Sequence, residues 1–226
     1  MTKFKDLSED RQWDIVSESM GDDWYKELEI QIHDELESVG FEQPEIAFSG
    51  WHSQGDGASF TCKHLDIPLF VSKHWKEMDW PSEQMHRWEE AKELGGSALE
   101  QLGFSEEEAN GLPVPVLHYI IDRGLMIFYG KVYRGSHHYV HERSTTLNLD
   151  MEIYSVNEIG EDRDIPDFKF TREDERELLD FHEYLEVWMN EWIVNKNKEI
   201  YDRLYKEYHD WEKELFNQYL EEDIEF

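Results

Sequence analysis

Residues 48–60, FSGWHSQGDGASF, carry the pattern from which the fold of this chain is predicted. The Asp56-Gly57 pair suits a two-residue turn, because such turns need the positive φ angles that glycine adopts without strain. Apolar and aromatic residues lie on both sides of the glycines. The stretch therefore predicts an antiparallel hairpin of two strands, residues 45–51 and 58–64, joined by a tight Gly-Asp-Gly turn.

Upstream of the hairpin, apolar residues at helical spacing predict one helix over residues 8–38. Gly40 is suited to the C-terminal end of this helix, and Pro44 prevents its continuation. The apolar stripe comprises Trp24, Leu28, Ile32 and Leu36.

Downstream of the hairpin the pattern predicts helices first and strands second. Ser82 is a suitable N-cap for a helix over residues 82–94, and Pro113 and Pro115 delay a further helix until about Val116. Runs rich in β-branched and aromatic residues then predict a strand at 125–133 and one or two more strands over 139–147 and 149–154, followed by a polar loop at 155–168.

Residues 171–226 have the clearest helical periodicity in the chain. Thr171 and Asp174 form a capping-box-like start, and acidic residues crowd the first turn. Polar residues at Asn195–Asn197 separate two apolar segments, so the pattern predicts either a helical hairpin or one long bent helix. The apolar positions are Leu178, Phe181, Leu185, Trp188, Met189, Trp192, Ile200, Leu204, Tyr208, Trp211 and Leu215.

Grouped strands flanked by grouped helices predict an α+β fold with an antiparallel sheet of four to five strands. We expect residues 1–170 to form an α+β domain with an N-terminal acidic helix. Residues 171–226 are expected to pack on it as a C-terminal helical segment, which makes one compact unit.

Composition narrows the class of protein. The chain has 53 acidic and 22 basic residues, a formal charge of −31, and 14% aromatic residues. The aromatic content favours a folded protein, and no apolar run approaches the length of a membrane-spanning helix. A strongly negative surface repels nucleic acid and anionic membranes and attracts basic partners. A single cysteine, Cys62, suits a reducing cytoplasm, so the expected location is cytoplasmic.

The helical segment at the C-terminus places carboxylates between its apolar positions. Such a face is either a solvated surface or a surface that competes for the basic groove of a partner, as a nucleic-acid mimic does. The carboxylates are Glu183, Glu186, Glu191, Glu207, Asp210 and Glu214.

The turn in residues 48–60 is a second candidate site. Backbone amides beside glycines can bind anions, but the lysine and the following helix of a phosphate-binding loop are missing. A plain structural turn is the alternative. If the turn binds a ligand, the groups expected to contact it are Trp51, His52, Gln54 and Asp56.

Histidines in residues 137–141 could extend this second site. On a regular strand His137 and His141 lie about 13 Å apart, too far to share one metal ion, so no metal and no cofactor are predicted. His141 and Glu142 remain candidates for ligand contact. Cys62 and His64 would share one side of a strand, but a buried structural cysteine is the preferred interpretation.

Tryptophans are frequent in the helical segments, and two interpretations apply to them. Aromatic residues at helical spacing form core, whereas an excess of them can also mark a protein-binding surface. The core interpretation is preferred for Trp188, Trp192 and Trp211.

The motif in residues 48–60 resembles one found in uncharacterised bacteriophage-encoded proteins, F-S-G-F/W-x-S-Q-G-D-G-A-x-F. Two further patterns of that family, Y-x-H-E-x-S/T and I/L-Y-x-x-L-x-x-E-Y, match at residues 139–144 and 200–208. Some members carry an antitoxin-like label. The resemblance implies a phage origin and action in the cytoplasm of a bacterial host, and it supplies no catalytic residues.

Together these features predict an acidic interaction protein that binds and inhibits a host factor with a basic surface, such as a defence nuclease, a toxin or another nucleic-acid-binding protein. Direct binding to nucleic acid or membrane is not expected, and a homo-oligomer is possible. The alternative is a small-ligand or metal-dependent enzyme that uses the Gly-Asp-Gly turn and nearby histidines.

Overall fold

The computed structural model describes residues 2–21, 24–50, 56–74, 76–78, 126–135, 140–153, 172–222 and 224. Helices and antiparallel strands are both present, so the α+β prediction is confirmed. Several predicted elements lie outside the described residues: the helix at 82–94, the helical stretch from 116 and the loop at 155–168.

Along the described part of the first third of the chain, two α-helices are followed by four short strands and then by a further helix. After a 3-10 turn at Phe4–Asp6, the α-helices are α1 (Glu9–Ser19), α2 (Lys26–Ser38), α3 (Ile67–His74) and α4 (Arg172–Glu221). The strands are β1 (Phe41–Glu42), β2 (Glu45–Ser49), β3 (Gly57–Thr61), β4 (His64–Leu65), β5 (Met126–Arg134) and β6 (Thr145–Ile153).

The single helix predicted over residues 8–38 is two helices. Met20 takes an extended conformation at the end of α1, and Gly21, a poor helix former, follows it. The predicted end at Gly40 is confirmed, because Gly40 has a φ of +99°. A Cβ atom there would lie 2.5 Å from the carbonyl oxygen of Asp66, so only glycine fits.

The hairpin at residues 45–61 is confirmed, but the prediction that a tight two-residue turn joins its strands is wrong. Glu45 pairs with Thr61 and Ser49 with Gly57, so residues 50–56 form the connection. Gly57 lies within β3 rather than in a turn. A Cβ atom on Gly57 would lie 2.5 Å from Cα of His141, so the glycine is required by close packing against a second segment of backbone.

Among the described residues the strands pair as three antiparallel ladders of two strands each, rather than as one sheet of four to five. The pairs are β1–β4, β2–β3 and β5–β6. A single bridge between Cys62 and Val132 connects the end of the first hairpin to β5, with backbone hydrogen bonds of 2.9 and 3.0 Å. This bridge brings the two hairpins together.

The second hairpin confirms the predicted strands but shortens the strand region after β5. β5 matches the strand predicted at 125–133, and β6 is a single strand where one or two were predicted over 139–147 and 149–154. Residues 141–144 form a turn, in which the Ser144 amide donates to the His141 carbonyl at 2.9 Å. The strand spacing expected for His137 and His141 therefore does not apply.

α4 is one continuous helix of 50 residues, without a break at Asn195–Asn197. The side chain of Asn197 is fully buried and bonds to other segments instead of competing for helical backbone. Its Oδ1 accepts from the Phe60 amide at 2.9 Å. Its Nδ2 donates to the Glu142 carbonyl and to the Thr145 hydroxyl at 3.1 and 3.0 Å.

The main core lies where α4 crosses β3 and β6. Residues 181–204 of α4, here called the inner stretch, contribute a buried residue at every third or fourth position, and Phe41, Phe60 and Phe70 pack against them. The buried residues of the inner stretch are Phe181, Leu185, Met189, Ile193, Asn197, Ile200 and Leu204.

The N-terminal segment packs on the far end of α4. Residues 205–222, here called the outer stretch, contact a small separate cluster of Phe4, Ile15 and Val16. The Trp13 and Phe216 rings stack with centroids 4.3 Å apart. None of the described helices combines the length and apolar composition that a membrane crossing requires.

Candidate partner-binding face

Three carboxylates lie on one side of the outer stretch and define what we call the acidic face: Glu207, Asp210 and Glu214. Residues three and four positions apart are neighbours on a helix surface, separated by roughly 4.5 to 6 Å along its axis. All three side chains are exposed, and none forms an ion pair with another described residue. The face therefore presents its charge to solvent.

Lys196 and Arg203 lie on the same side of α4, one to three turns before the acidic face, and both are paired with carboxylates. Glu35 of α2 accepts hydrogen bonds from Lys196 at 3.0 Å and from Arg203 at 2.7 Å. Glu199 accepts from Lys196 at 2.9 Å and lies 3.5 Å from Arg203. These two cations are thus compensated within the molecule, whereas no ion pair to the three carboxylates of the acidic face is formed by the described residues.

The carboxyl group of Glu35, beside these two cations, has a lowered pKa. Burial disfavours the charged carboxylate, but the hydrogen bonds from Arg203 and Lys196 outweigh that effect and hold the pKa of Glu35 below its usual range. Glu35 is therefore ionised at neutral pH and retains both cations. The ion pairs of Glu35 with Lys196 and Arg203 connect α2 to α4 in the turns that precede the acidic face.

Trp211 lies within the acidic face and is 40% exposed. The sequence interpretation placed Trp211 in the core, because it continues the apolar spacing of α4. The structure corrects this, since every residue of the outer stretch retains part of its surface. The sequence did contain a signal, because Trp211 has carboxylates at the positions four before and three after it.

α1 adds further negative charge beside the outer stretch. It carries Glu9, Asp10, Asp14 and Glu18, all exposed, and Arg11 lies within 3.8 Å of the last two. Near the end of α4 an open depression of about 550 Å³ is polar and mostly acidic. The described residues that line it are Asp210, Lys213, Glu214, Asn217, Gln218, Glu221 and Glu222.

The other three carboxylates predicted on α4 lie apart from the acidic face. Glu191 and Glu207 are separated by 16 residues, which is about 24 Å along a helix axis. Glu183 and Glu191 are exposed on the inner stretch, whereas Glu186 is half-buried and its carbonyl accepts from the Asn190 side chain. The six predicted residues therefore form two groups of three.

The chain segments that carry Asp56 and His141 meet beside the start of β3. Gly57 touches the backbone of His141, and the Ser49 hydroxyl donates to the Val140 carbonyl at 3.2 Å. The carboxylate of Asp56 lies over Gly50. Trp51, His52 and Gln54 lie outside the described residues.

The described groups in this region are polar, and His141 and the backbone of Glu142 form hydrogen bonds. The His141 Nδ1 accepts from the Arg143 amide at 3.1 Å, and the Glu142 carbonyl accepts from Asn197. Burial, together with the charge of Asp56, raises the pKa of Tyr201. No group of three or more metal-binding side chains is found among the described residues.

Cys62 and His64 do not form a pair. Cys62 is 4% exposed, and burial, partly offset by a backbone hydrogen bond from Val132, raises the pKa of its thiol to about 11. His64 is exposed, because the chain bends at Lys63 between the bridge and β4. The preferred interpretation of a buried structural cysteine fits this geometry, since a thiol of high pKa is a poor nucleophile.

A family model described as "Domain of unknown function (DUF8835)" matches residues 13–109. The match includes part of α1, all of α2 and α3 and the first hairpin, and it ends before the acidic face. No curated protein and no solved structure matches the chain.

Proposed function

We propose that this protein binds and inhibits a partner protein through the partner's basic surface. The observation that carries the proposal is the acidic face, whose three carboxylates are exposed together and pair with no other described residue, while Lys196 and Arg203 of the preceding turns are bound to Glu35. The partner class is a nucleic-acid-binding protein, such as a defence nuclease or a toxin. The setting is a phage protein acting in the cytoplasm of its host.

The physical basis is the net charge of −31 and its distribution. A field of one sign raises encounter rates with oppositely charged proteins and repels nucleic acid. On a helix face the carboxylates repeat about every 5 Å, against about 3.4 Å for the phosphates of one DNA strand. The spacings differ, but both surfaces display several negative charges in a row, so a groove that binds phosphates can bind several carboxylates at once and its occupancy excludes the nucleic acid.

The test compares two variants that remove the same charge. Glu207→Gln/Asp210→Asn/Glu214→Gln neutralises the acidic face, and Glu183→Gln/Glu186→Gln/Glu191→Gln neutralises the other three carboxylates of α4. Each tagged protein is used to capture proteins from a bacterial host lysate at low and at high salt, and the captured protein is assayed for nucleic-acid binding or cleavage.

We expect the wild type and the second variant to capture and inhibit the same basic protein. The first variant should bind about tenfold more weakly, since three exposed ion pairs of about 0.5 kcal/mol each are lost. Binding by the wild type should also weaken steeply with salt. Equal binding by the two variants, or a complex insensitive to salt, would contradict the proposal.

A second candidate function is ligand binding or metal-assisted catalysis at the loop ends of the hairpins. The observation that favours it is the contact of Gly57, the neighbour of Asp56, with His141, the neighbour of Glu142. Metal analysis of the purified protein tests this candidate. Stoichiometric zinc or manganese that disappears in an Asp56→Ala variant would support it. A metal-free protein whose Asp56→Ala variant is fully functional would eliminate it.

A further inference from the structure

The exposed indole of Trp211 is not explained by packing. The outer stretch contacts the N-terminal segment through Leu215, Phe216 and Tyr219, which are the residues that pack against Phe4, Ile15 and Val16. Trp211 is absent from both clusters and is 40% exposed. A large apolar ring is therefore presented to solvent along the edge of the acidic face, beside Glu207 and Glu214.

Helix geometry places carboxylates on both sides of this ring. Glu207 lies one turn before Trp211 and Glu214 one turn after it, and residues at these spacings are neighbours on the helix surface. Helical side chains lean toward the N-terminus, so the indole covers the turn that carries Glu207, and Glu214 leans back toward Trp211. The arrangement is an aromatic face with a carboxylate at each end.

This combination matches the chemistry of arginine better than that of lysine. A guanidinium group is planar, stacks on an indole through cation–π attraction, and at the same time donates two parallel hydrogen bonds to a carboxylate. A lysine ammonium is a compact, strongly hydrated point charge that cannot match both features. Tryptophan is also enriched among the residues that dominate binding energy at interfaces.

We infer that Trp211, with Glu207 and Glu214, binds an arginine side chain in a basic segment of the partner protein. This inference rests on the proposed function and specifies which cation the acidic face selects. The charge of this region favours a basic segment as the partner, because residues 207–222 contain six acidic residues and one lysine. A second copy of the chain would bring like charges together.

The experiment measures binding of two fluorescent peptides of equal length, one of arginine and one of lysine, to the full-length protein by anisotropy. The test variant is Trp211→Leu. Tyr205→Leu is the matched control, because Tyr205 is 43% exposed on the same stretch and lies about 120° around the helix from Trp211. Trp211→Phe retains an aromatic ring, so it separates loss of the ring from a general effect of substitution at this position.

We expect the wild type, the Tyr205→Leu variant and the Trp211→Phe variant to prefer the arginine peptide by several-fold. Trp211→Leu should bind both peptides equally, with a loss of roughly tenfold for arginine and little loss for lysine. No preference in the wild type, or a preference that survives in Trp211→Leu, would overturn the inference. Concentration-dependent dimerisation that Trp211→Leu abolishes would also overturn it, by assigning the ring to a second copy.

The two proposals fail in distinguishable ways. If the acidic face binds cations without selecting arginine, Glu207→Gln/Asp210→Asn/Glu214→Gln weakens binding of both peptides and Trp211→Leu has no effect. If neither that variant nor Trp211→Leu changes binding, the proposed function and the inference are both contradicted.

Discussion

The inner and outer stretches of α4 belong to one helix and have different surroundings. The inner stretch crosses β3 and β6 and has a fully buried face. The N-terminal segment packs on the outer stretch and buries only part of its surface. Both stretches carry apolar residues at helical spacing. The comparison shows that the same periodicity builds core in one place and leaves an aromatic ring exposed among carboxylates in the other.

The difference arises from what lies beside each stretch. Two hairpins joined through the Cys62–Val132 bridge supply a broad surface for the inner stretch. The outer stretch extends past this surface and, among the described residues, contacts α1, the 3-10 turn and Trp24, whose ring centroid lies 5.5 Å from that of Tyr208. Carboxylates are tolerated there because water still solvates them.

The largest expected effect comes from two leucines of α4. Leu204 is 1% exposed in the inner stretch, and Leu220 is 38% exposed in the outer stretch. Leu204→Ala should lower the free energy of unfolding by about 3 kcal/mol, because it removes buried methyl groups and leaves a cavity. Leu220→Ala should change it by less than about 0.5 kcal/mol. Urea denaturation measures the free energy of unfolding of both variants. Equal losses of stability would contradict the difference in burial between the inner and outer stretches.

A somewhat smaller loss is expected at Asn197, which is fully buried. Asn197→Leu leaves the Phe60 amide without its partner and should cost about 2 kcal/mol. Asn195 is exposed two residues earlier in the same helix, so Asn195→Leu is the matched control and should be nearly neutral. Thermal unfolding of both variants checks this, and a stable Asn197→Leu protein would show that its hydrogen bonds are not needed.

The contact between α1 and the outer stretch should be weaker than the contacts of the inner stretch. Trp13→Leu removes the ring stacked on Phe216 and should cost about 1 kcal/mol. Limited proteolysis should then cleave the outer stretch faster while the inner stretch stays protected. Trp211→Leu, which removes an exposed ring from the same stretch, serves as the control, and faster cleavage in both variants would argue against a specific role for Trp13.

The smallest effect concerns Glu35 and depends on pH. Because its folded pKa is lowered, Glu35 contributes stability above its unfolded pKa, and this contribution is lost as the pH falls through the folded pKa. Glu35→Gln should cost at most about 1 kcal/mol at neutral pH, since the cluster is partly exposed, and the difference from wild type should vanish in acid. Denaturation between neutral and acidic pH measures this, with the exposed Glu37→Gln as control.

The sequence predicted the local elements well where one periodicity dominates. The hairpin at 45–61, the strand at 125–133 and the helix from 172 follow from alternation, turn residues and helical spacing, which act between near neighbours. The break at Met20–Gly21 was missed because the apolar spacing continues beyond it. The pairing of Ser49 with Gly57 was missed because Gly57 is needed for contact with His141, which is remote in sequence.

The candidate site was predicted in part. Glu207, Asp210 and Glu214 were identified as exposed, because polar residues between apolar positions of a helix face water. Trp211 was assigned to the core, since spacing alone cannot reveal whether another element covers a helix face. The separation of Glu183, Glu186 and Glu191 from the acidic face follows from the continuity of α4, which the sequence left open.

By itself, therefore, the sequence determined the charge, the α+β class and the amphipathic pattern of α4, because these depend on composition and on neighbours within a few residues. Tertiary structure alone decided that α4 continues through Asn197, that Glu35 binds the nearby cations, and that Trp211 stays exposed. Each of these outcomes depends on contacts between residues far apart in the chain, or on the lack of a covering element among the described residues.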